Sequence, residues 1–459
     1  MSNMRKTIAL RTLQALIILA PLPFGSAPEP FATLFFLSLA FWMALIWPEA
    51  IDEWTILPGG KWLNRLVLSL PLLGVLQLVP LPRDWVFALH PGVQPLLESL
   101  PRQIGQWLPL SLSPGVTLNA VLRLLVLALF FLTFSRRRME QREMVGIFTA
   151  LLASGALQTL IGAARIILPG RNFFLFFYPI DNPQPGRHIT GTFVDNESAA
   201  LFLGMVLLSV LGWWAAEAGL FSSRGHRPAS WREWILPGQF KPNHLVLTGI
   251  CGAGLALTHS PNLRWLFLGS LFAATVMGLY AQFAPQKRHP WRWALLVLVL
   301  LPMIMGVSRI NPRFQEQETG MRTSVRTVPV LKEMIKDFPV MGSGWGSFSQ
   351  VNSVYMNRPE IHLSHARNDW LQVAVEGGLL SLGCLLSALL LFLLGIWGRW
   401  IVLIDRWNRG IAAGLLAACI LAWEVALIHY PWRIPFTAFL TVLFMALTLR
   451  AVVPQHGGH

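Results

Sequence analysis

Long apolar runs separated by short polar connectors dominate this chain, and that pattern leaves few folds open. A membrane-crossing helix needs roughly 20 apolar residues, and runs of about that length recur throughout the 459-residue sequence. They start near Ile8, Pro30, Leu66, Val116, Met144, Ser198, His244, Trp265, Trp291, Leu371, Gly410 and Pro435. In lipid each backbone N–H and C=O must find a partner within the chain, so such runs read as helices. The sequence therefore predicts an all-α, polytopic membrane protein with about 12 spans. The first run follows Arg5 and Lys6. No cleavage site is evident in Gly25-Ser26-Ala27-Pro28, and a second run starts at once, so it reads as an uncleaved span.

Composition closes the remaining alternatives. Charged residues make up 13% of the chain, where a soluble protein carries about 25%. The net charge of +14 would direct attention to nucleic acid on a soluble domain. Here most Lys and Arg sit in connectors and no nucleic-acid motif is present, so no nucleic-acid partner is expected. Cys251, Cys384 and Cys419 lie apart, each inside an apolar run, and read as small core residues.

Positive charge on cytoplasmic connectors sets orientation. An inside N-terminus places Lys61 to Arg65, Arg136-Arg137-Arg138, Arg224 to Lys241, Lys287 to Arg292, Arg399 to Arg409 and Arg450 on the cytoplasmic side. Three long connectors then lie outside: Arg83 to Gly115, Pro169 to Glu197, and Arg309 to Trp370. The expected organisation is helices over 1–308, a large outer loop over 309–370, and further helices over 371–459. The loop carries Arg309, Arg313, Arg322, Arg326, Lys332, Lys336, Arg358 and Arg367 on the side where topology does not call for them. That charge points to an anionic ligand, though a long outer loop can also carry charge without one.

Within the loop, Val328, Leu331, Met334, Ile335 and Phe338 recur at helical spacing. They predict a short amphipathic helix on the membrane surface. Gly342-Ser343-Gly344-Trp345-Gly346 follows as a glycine-punctuated turn, and a polar segment from His362 to Trp370 leads into the next span. Arg123 and Glu424 fall inside spans, where a lone charge is costly. Either they neutralise each other or they line a polar cavity.

The segment Asp337 to Phe348, DFPVMGSGWGSF, resembles the "dFPxxGxGxGxF" signature of the O-antigen ligase and polymerase superfamily. His365 to Leu379, HARNDWLQVAVEGGL, resembles that family's "HxxNDyLQ…EGGL" signature. Gly191-Thr192-Phe193-Val194 is similar to the start of its "GTFvNxN" motif, and Pro109 to Thr117, PLSLSPGVT, looks like its "plSlxPxxT" motif. Arg367 stands where many members carry histidine before the asparagine, and Asp195 and Glu197 stand where the third motif has its two asparagines.

The resemblance implies a GT-C-like membrane glycosyltransferase of the bacterial inner membrane, its active site facing the periplasm. The implied donor is an undecaprenyl-pyrophosphate-linked glycan, and the implied acceptor is a glycan or lipid A-core. Departure of a pyrophosphate calls for fixed cations, and arginine binds phosphate oxygens with a planar fork. Arg322 and Arg326 are the candidate catalytic cations, and Arg187, Arg367, Asn368 and Arg123 are the candidate substrate-binding residues. His365 is the candidate general base, with His362 and His188 behind it. Asn368 and Asp369 would orient that imidazole or cap the following helix, capping being the expected role of Asp369. The outer segments show no acidic metal-ligand cluster, so neither a metal nor another cofactor is expected. A lipid-glycan flippase or secondary transporter remains the alternative from another class; it would show internal repeats and broken helices meeting at mid-membrane. A protein O-oligosaccharyltransferase is the alternative within the family.

Overall fold

The computed structural model describes residues 3–50, 60–94, 105–137, 139–167, 189–220, 230–283, 324–355, 364–400, 403 and 405–453. Three helices open the chain: α1 (Asn3–Leu19), α2 (Phe31–Ala50) and α3 (Gly60–Leu76). A small hairpin of β1 (Pro80–Pro82) and β2 (Trp107–Pro109) follows, enclosing α4 (Arg83–Leu89). Next come α5 (Pro114–Arg136), α6 (Gln141–Ile167) and α7 (Asn196–Glu217). The short α8 (Trp231–Ile235) precedes α9 (Pro242–Leu257) and α10 (Pro261–Phe283). The remainder comprises α11 (Ser324–Asp337), α12 (Phe348–Tyr355), α13 (Asp369–Trp400), α14 (Arg406–Val425) and α15 (Pro435–Val452).

The all-α expectation holds, the three-residue strands β1 and β2 being a minor addition. Among the described residues six helices, α5, α6, α7, α13, α14 and α15, are long and apolar enough to cross a membrane. Phe31–Ile46, Pro242–Leu257 and Asn262–Met277 are shorter apolar helices. The runs at Ile8 and Leu66 form the 17-residue helices α1 and α3, which carry Arg5, Lys6 and Arg11, and Lys61 and Arg65, respectively. The run from Trp291 lies outside the described residues.

α7, α14 and α15 form the buried centre, while α5 and α13 are much less covered, as outer helices of a bundle are. Small residues let the central pair meet closely. A Cβ on Gly212 would stand 2.6 Å from the Gly414 Cα, and one on Gly410 2.8 Å from that of Ala216. Close backbone approach of this kind is a common basis of helix packing in lipid.

Hydrogen bonds gather alternate helix ends into one face of the bundle. The Thr192 hydroxyl, before α7, donates to Pro21 O beyond α1 at 2.7 Å. Ile189 N donates to Leu257 O at the end of α9, Ser111 N to Gln77 O beyond α3, and Asp369 N to Ala426 O beyond α14. Every motif picked out from the sequence lies at this face.

The amphipathic helix is present as α11, but its apolar side is covered by protein rather than laid on a membrane surface. Leu331, Met334 and Phe338 are buried with Val86, Val93, Leu110, Phe348 and Val351. Among the described residues of α11, Pro329, Lys332, Glu333 and Lys336 face out. The hairpin and α12 supply the partner surface, which periodicity within one segment cannot reveal. Arg123 and Glu424 do not neutralise each other either. Arg123 pairs with Glu29 and lies 5.7 Å from the Phe36 ring, while Glu424 accepts a 3.3 Å bond from the Ser270 hydroxyl.

Candidate functional site

The two longest motifs form a single interlocked unit. Helix α13 is broken at Gly378, whose φ of 73° and ψ of 174° leave the helical region. The break exposes backbone groups that would otherwise pair along the helix, and the 339–344 segment takes them up. Leu379 N donates to Pro339 O at 2.9 Å, Ser343 N to Val375 O at 2.8 Å, and Gly344 N to Glu376 O at 3.0 Å. Gly342 has φ 73°, and a Cβ there would lie 2.4 Å from the Glu376 carbonyl. Positive φ and contact with another backbone each demand glycine. Gly344 and Gly346 also have positive φ, so the glycines serve backbone geometry as expected.

The Pro109–Thr117 motif joins the same unit. Leu112 N donates to Ser343 O at 3.0 Å, and the Ser111 and Thr117 hydroxyls bond each other at 2.7 Å beneath Gly344. Buried Gln77 ties the parts together: its amide nitrogen donates to Met341 O and to Glu376 O, and its oxygen accepts from Trp345 N at 3.1 Å. Sequence reading had assigned Gln77 no role.

The connector between α14 and α15, running through His429-Tyr430-Pro431-Trp432-Arg433, supplies two cations to this face. Arg433 reaches Glu376 (Nη1 to Oε2, 2.7 Å) and Asp369 (Nε to Oδ1, 3.3 Å), both fully buried. Glu376 further accepts from Gln372 Nε2 at 2.8 Å and Gly346 N at 2.9 Å, and Asp369 from Trp432 N at 2.7 Å. Burial alone would lower the guanidinium pKa, but the two carboxylates outweigh it and hold the charge firmly. A buried charge with this many partners is stable only as a set.

His429 forms the second cluster. Its Nε2 lies 3.0 Å from the Ser198 hydroxyl and 3.3 Å from Asp195 Oδ1, and its Nδ1 lies 2.9 Å from Glu197 Oε2. Asp195 also caps α7, accepting from Ser198 N at 2.6 Å. Burial would lower the His429 pKa, yet Asp195 and Glu197 raise it to about 10. Burial pushes the Asp195 carboxyl up, and His429 with the Ser198 donors reverses this to about 2. The sequence offered no acidic ligand cluster, but the fold brings ligand atoms of Asp195, Glu197 and His429 within 4.8 Å of one another. That donor set is of a kind that holds divalent cations. Here its members bond each other, both imidazole nitrogens facing an oxygen, which is the arrangement of an imidazolium ion pair.

His365 meets this cluster through Tyr430. Its ring lies 4.8 Å from the Tyr430 ring, and the His429 ring lies 4.1 Å from the same Tyr430 ring. Burial, aided by the charges of Arg433 and His429, lowers the His365 pKa to about 4. At neutral pH it is an uncharged imidazole beside fixed cations, and its Nδ1 has no hydrogen-bond partner. A neutral imidazole of this kind can accept a proton.

Of the other residues singled out from sequence, Arg367 is exposed at this face, with φ 50°. Asn368, not Asp369, caps α13: its Oδ1 accepts from Leu371 N at 3.0 Å. Asp369 is turned to Arg433 and Trp432 instead, because the buried guanidinium needs it there. Arg123 sits apart from the two clusters with Glu29. Arg326 falls on α11 with its side chain outside the described part, and Arg187, Arg322, His188 and His362 lie outside the described residues. His429, Tyr430, Arg433 and Glu376 went unrecognised. One signal was available: a His, a Tyr and an Arg within five residues, between two apolar runs.

No curated protein matches the chain. Residues 245–386 match the family model described as O-Antigen ligase. The matched stretch takes in the glycine loop, His365, Asp369 and the broken helix at Gly378, and it belongs to the O-antigen ligase superfamily.

Proposed function

We propose that this protein transfers a glycan from an undecaprenyl-pyrophosphate carrier to a glycan or lipid acceptor on the periplasmic face of the inner membrane. The activity is that of an O-antigen or exopolysaccharide ligase or polymerase. One observation carries the reading: the family signatures converge on one bundle face, where an uncharged His365 stands beside fixed arginine. The positive-inside pattern supports putting that face on the periplasmic side. In this organisation residues 309–370 form the outer segment between the helices of 1–308 and 371–459.

His365 takes the proton of the attacking acceptor hydroxyl. Arg322, Arg326 and Arg187 take up the charge of the departing diphosphate, with Arg367 nearest to His365 in the sequence. Electrostatic stabilisation of a leaving group is commonly a large part of catalysis. The reaction needs no metal in this reading, since the Asp195, Glu197 and His429 donors are spent on one another.

A flippase reading draws support from the break in α13 at Gly378, since broken helices are typical of transporters. Purified protein and radiolabelled carrier-linked glycan separate the two. Transfer with release of undecaprenyl pyrophosphate supports the enzyme, while movement of the lipid without bond cleavage removes it. His365→Ala should abolish transfer and leave carrier binding largely intact. Arg322→Ala and Arg326→Ala should weaken carrier binding or leaving-group departure, and parent-like behaviour of both would sink the proposed anion site. A Ser or Thr peptide as acceptor tests the protein O-oligosaccharyltransferase alternative.

A further inference from the structure

His429 is buried, fully charged, and one ring away from the candidate base, yet it cannot reach a substrate itself. Ser198 and Asp195 face its Nε2, and Glu197 Oε2 lies 2.9 Å from its Nδ1 as an ion-pair contact. The Tyr430 ring lies beside the His429 ring, tilted by 36° with ring centroids 4.1 Å apart. His365 lies against Tyr430 at 4.8 Å and an interplanar angle of 33°. Three rings from two distant segments thus form one tilted stack, held at the His429 end and by the Tyr430 hydroxyl, which donates to Asp195 Oδ2 at 3.5 Å.

We propose that His429 is a positioning residue for His365: clamped by Asp195, Glu197 and Ser198, it braces Tyr430, which braces the His365 ring. The proposal rests on the reading of His365 as the base. Two consequences follow physically. The stack fixes the His365 ring, so that its free Nδ1 keeps one direction. The imidazolium behind the stack also opposes a second positive charge on His365. The two centroid separations add to an upper limit of about 9 Å between the histidine rings, close enough for a charge effect at low solvent exposure.

Other charges bear on His365 and must be set beside this one. Among the described residues these are Arg367 and Asp369 from its own segment, Glu376 from α13, Asp195 and Glu197 from the start of α7, and Arg433 from the connector. Arg433 is neutralised by Asp369 and Glu376, and His429 by Asp195 and Glu197. Removing His429 also leaves two carboxylates behind it, which further favours a charged His365. Both parts of the change act in the same direction.

The test follows the protonation of His365 directly. Full-length protein in detergent is treated with diethyl pyrocarbonate, which modifies only uncharged imidazole, across about pH 3 to 8. Modification of His365 is quantified on its peptide by mass spectrometry. In the parent the midpoint should lie near the depressed value of about 4. His429→Gln should raise it by roughly one pH unit, the size expected for a charge at this distance and an effective dielectric constant near 20. Tyr430→Ala should raise it towards the ordinary 6.5 by wetting the ring, while Tyr430→Phe keeps the brace and the midpoint. The acid limb of transfer should move with the midpoint in each variant. A merely structural His429 would lower turnover without moving either.

Unchanged midpoints in both His429→Gln and Tyr430→Ala overturn the brace. A midpoint that moves while the acid limb stays put, or transfer that survives His365→Ala, overturns the base assignment and not the brace. The two failures are therefore separable.

Discussion

Two acid–base clusters hang from the same short connector, and they are built for different duties. Around Arg433 both carboxylates are fully buried and the cation cannot titrate in any ordinary range. Around His429 the carboxylates retain 23% and 18% exposure and the cation can lose its proton. The first cluster joins three chain segments: Asp369 and Glu376 on α13, Gly346 in the glycine loop, and Trp432 on the connector. The second joins the start of α7 to the connector and passes on to His365 through Tyr430. The contrast teaches that permanent charge holds the scaffold here, while titratable charge is kept next to the candidate chemistry.

The largest break in this comparison should come from Arg433→Met. It strands two carboxylates where no water reaches, and removing one partner of such a set costs about 3–5 kcal/mol. Thermal unfolding of the purified protein should show a deep loss, exceeding that of His429→Met, whose partly exposed carboxylates can recover water. Equal losses would mean that burial does not separate the two clusters.

Alkaline pH sharpens the contrast further. His429 in the folded protein titrates near 10, above its ordinary 6.5. Its stabilising contribution is therefore full below pH 6.5 and lost as pH rises through 10. Asp195, held near 2 against an ordinary 3.8, loses its share of the same pairing as pH falls below 3.8. Arg433 contributes no slope in the alkaline window, because its raised pKa lies beyond it. Melting temperatures should decline between pH 6.5 and 10 in the parent, and the decline should flatten in His429→Gln. A slope that survives the substitution would assign it to another group.

Much of the bundle was legible because its determinants are local. Apolar runs give helices, and α7, α14 and α15 gave themselves away by length and hydropathy alone. The glycine loop was legible too, since Gly342, Gly344 and Gly346 serve a left-handed backbone wherever they fold. The clusters were not, because their pairings cross the chain: Asp195 meets His429, and Glu376 meets Arg433, through contacts that no periodicity encodes. The buried side of α11 was misplaced for the same reason. Its periodicity specified an apolar face, while the hairpin, distant in sequence, and the neighbouring α12 decided what covers it.

The interlock behind Glu376 allows an internal control on one helix. At Gly378 the φ of +73° and a Cβ 2.1 Å from Val340 O make any side chain unwelcome. Gly378→Ala should cost about 1–3 kcal/mol from backbone strain before the clash is counted. It should also reduce transfer, since the break holds the glycine loop to α13. At Gly383 a Cβ meets nothing within 4 Å, so Gly383→Ala should be neutral or stabilising by up to about 1 kcal/mol. Similar melting temperatures for the two variants would deny that the break is a built feature.

The smallest expected effect separates a cap from a ligand at Asn368. Its side-chain oxygen accepts from Leu371 N at 3.0 Å, which is what a helix start requires. Losing such a cap costs about 1 kcal/mol, and aspartate serves as well as asparagine. Asn368→Ala should thus lower stability slightly, and Asn368→Asp should leave it unchanged. Transfer discriminates between the roles: a cap tolerates Asn368→Asp, whereas a contact to a diphosphate would suffer from the added negative charge. Normal KM and turnover in Asn368→Asp would confine Asn368 to holding the start of α13. A raised KM with intact stability would instead put it on the donor, extending the titratable side of the comparison to within three residues of His365.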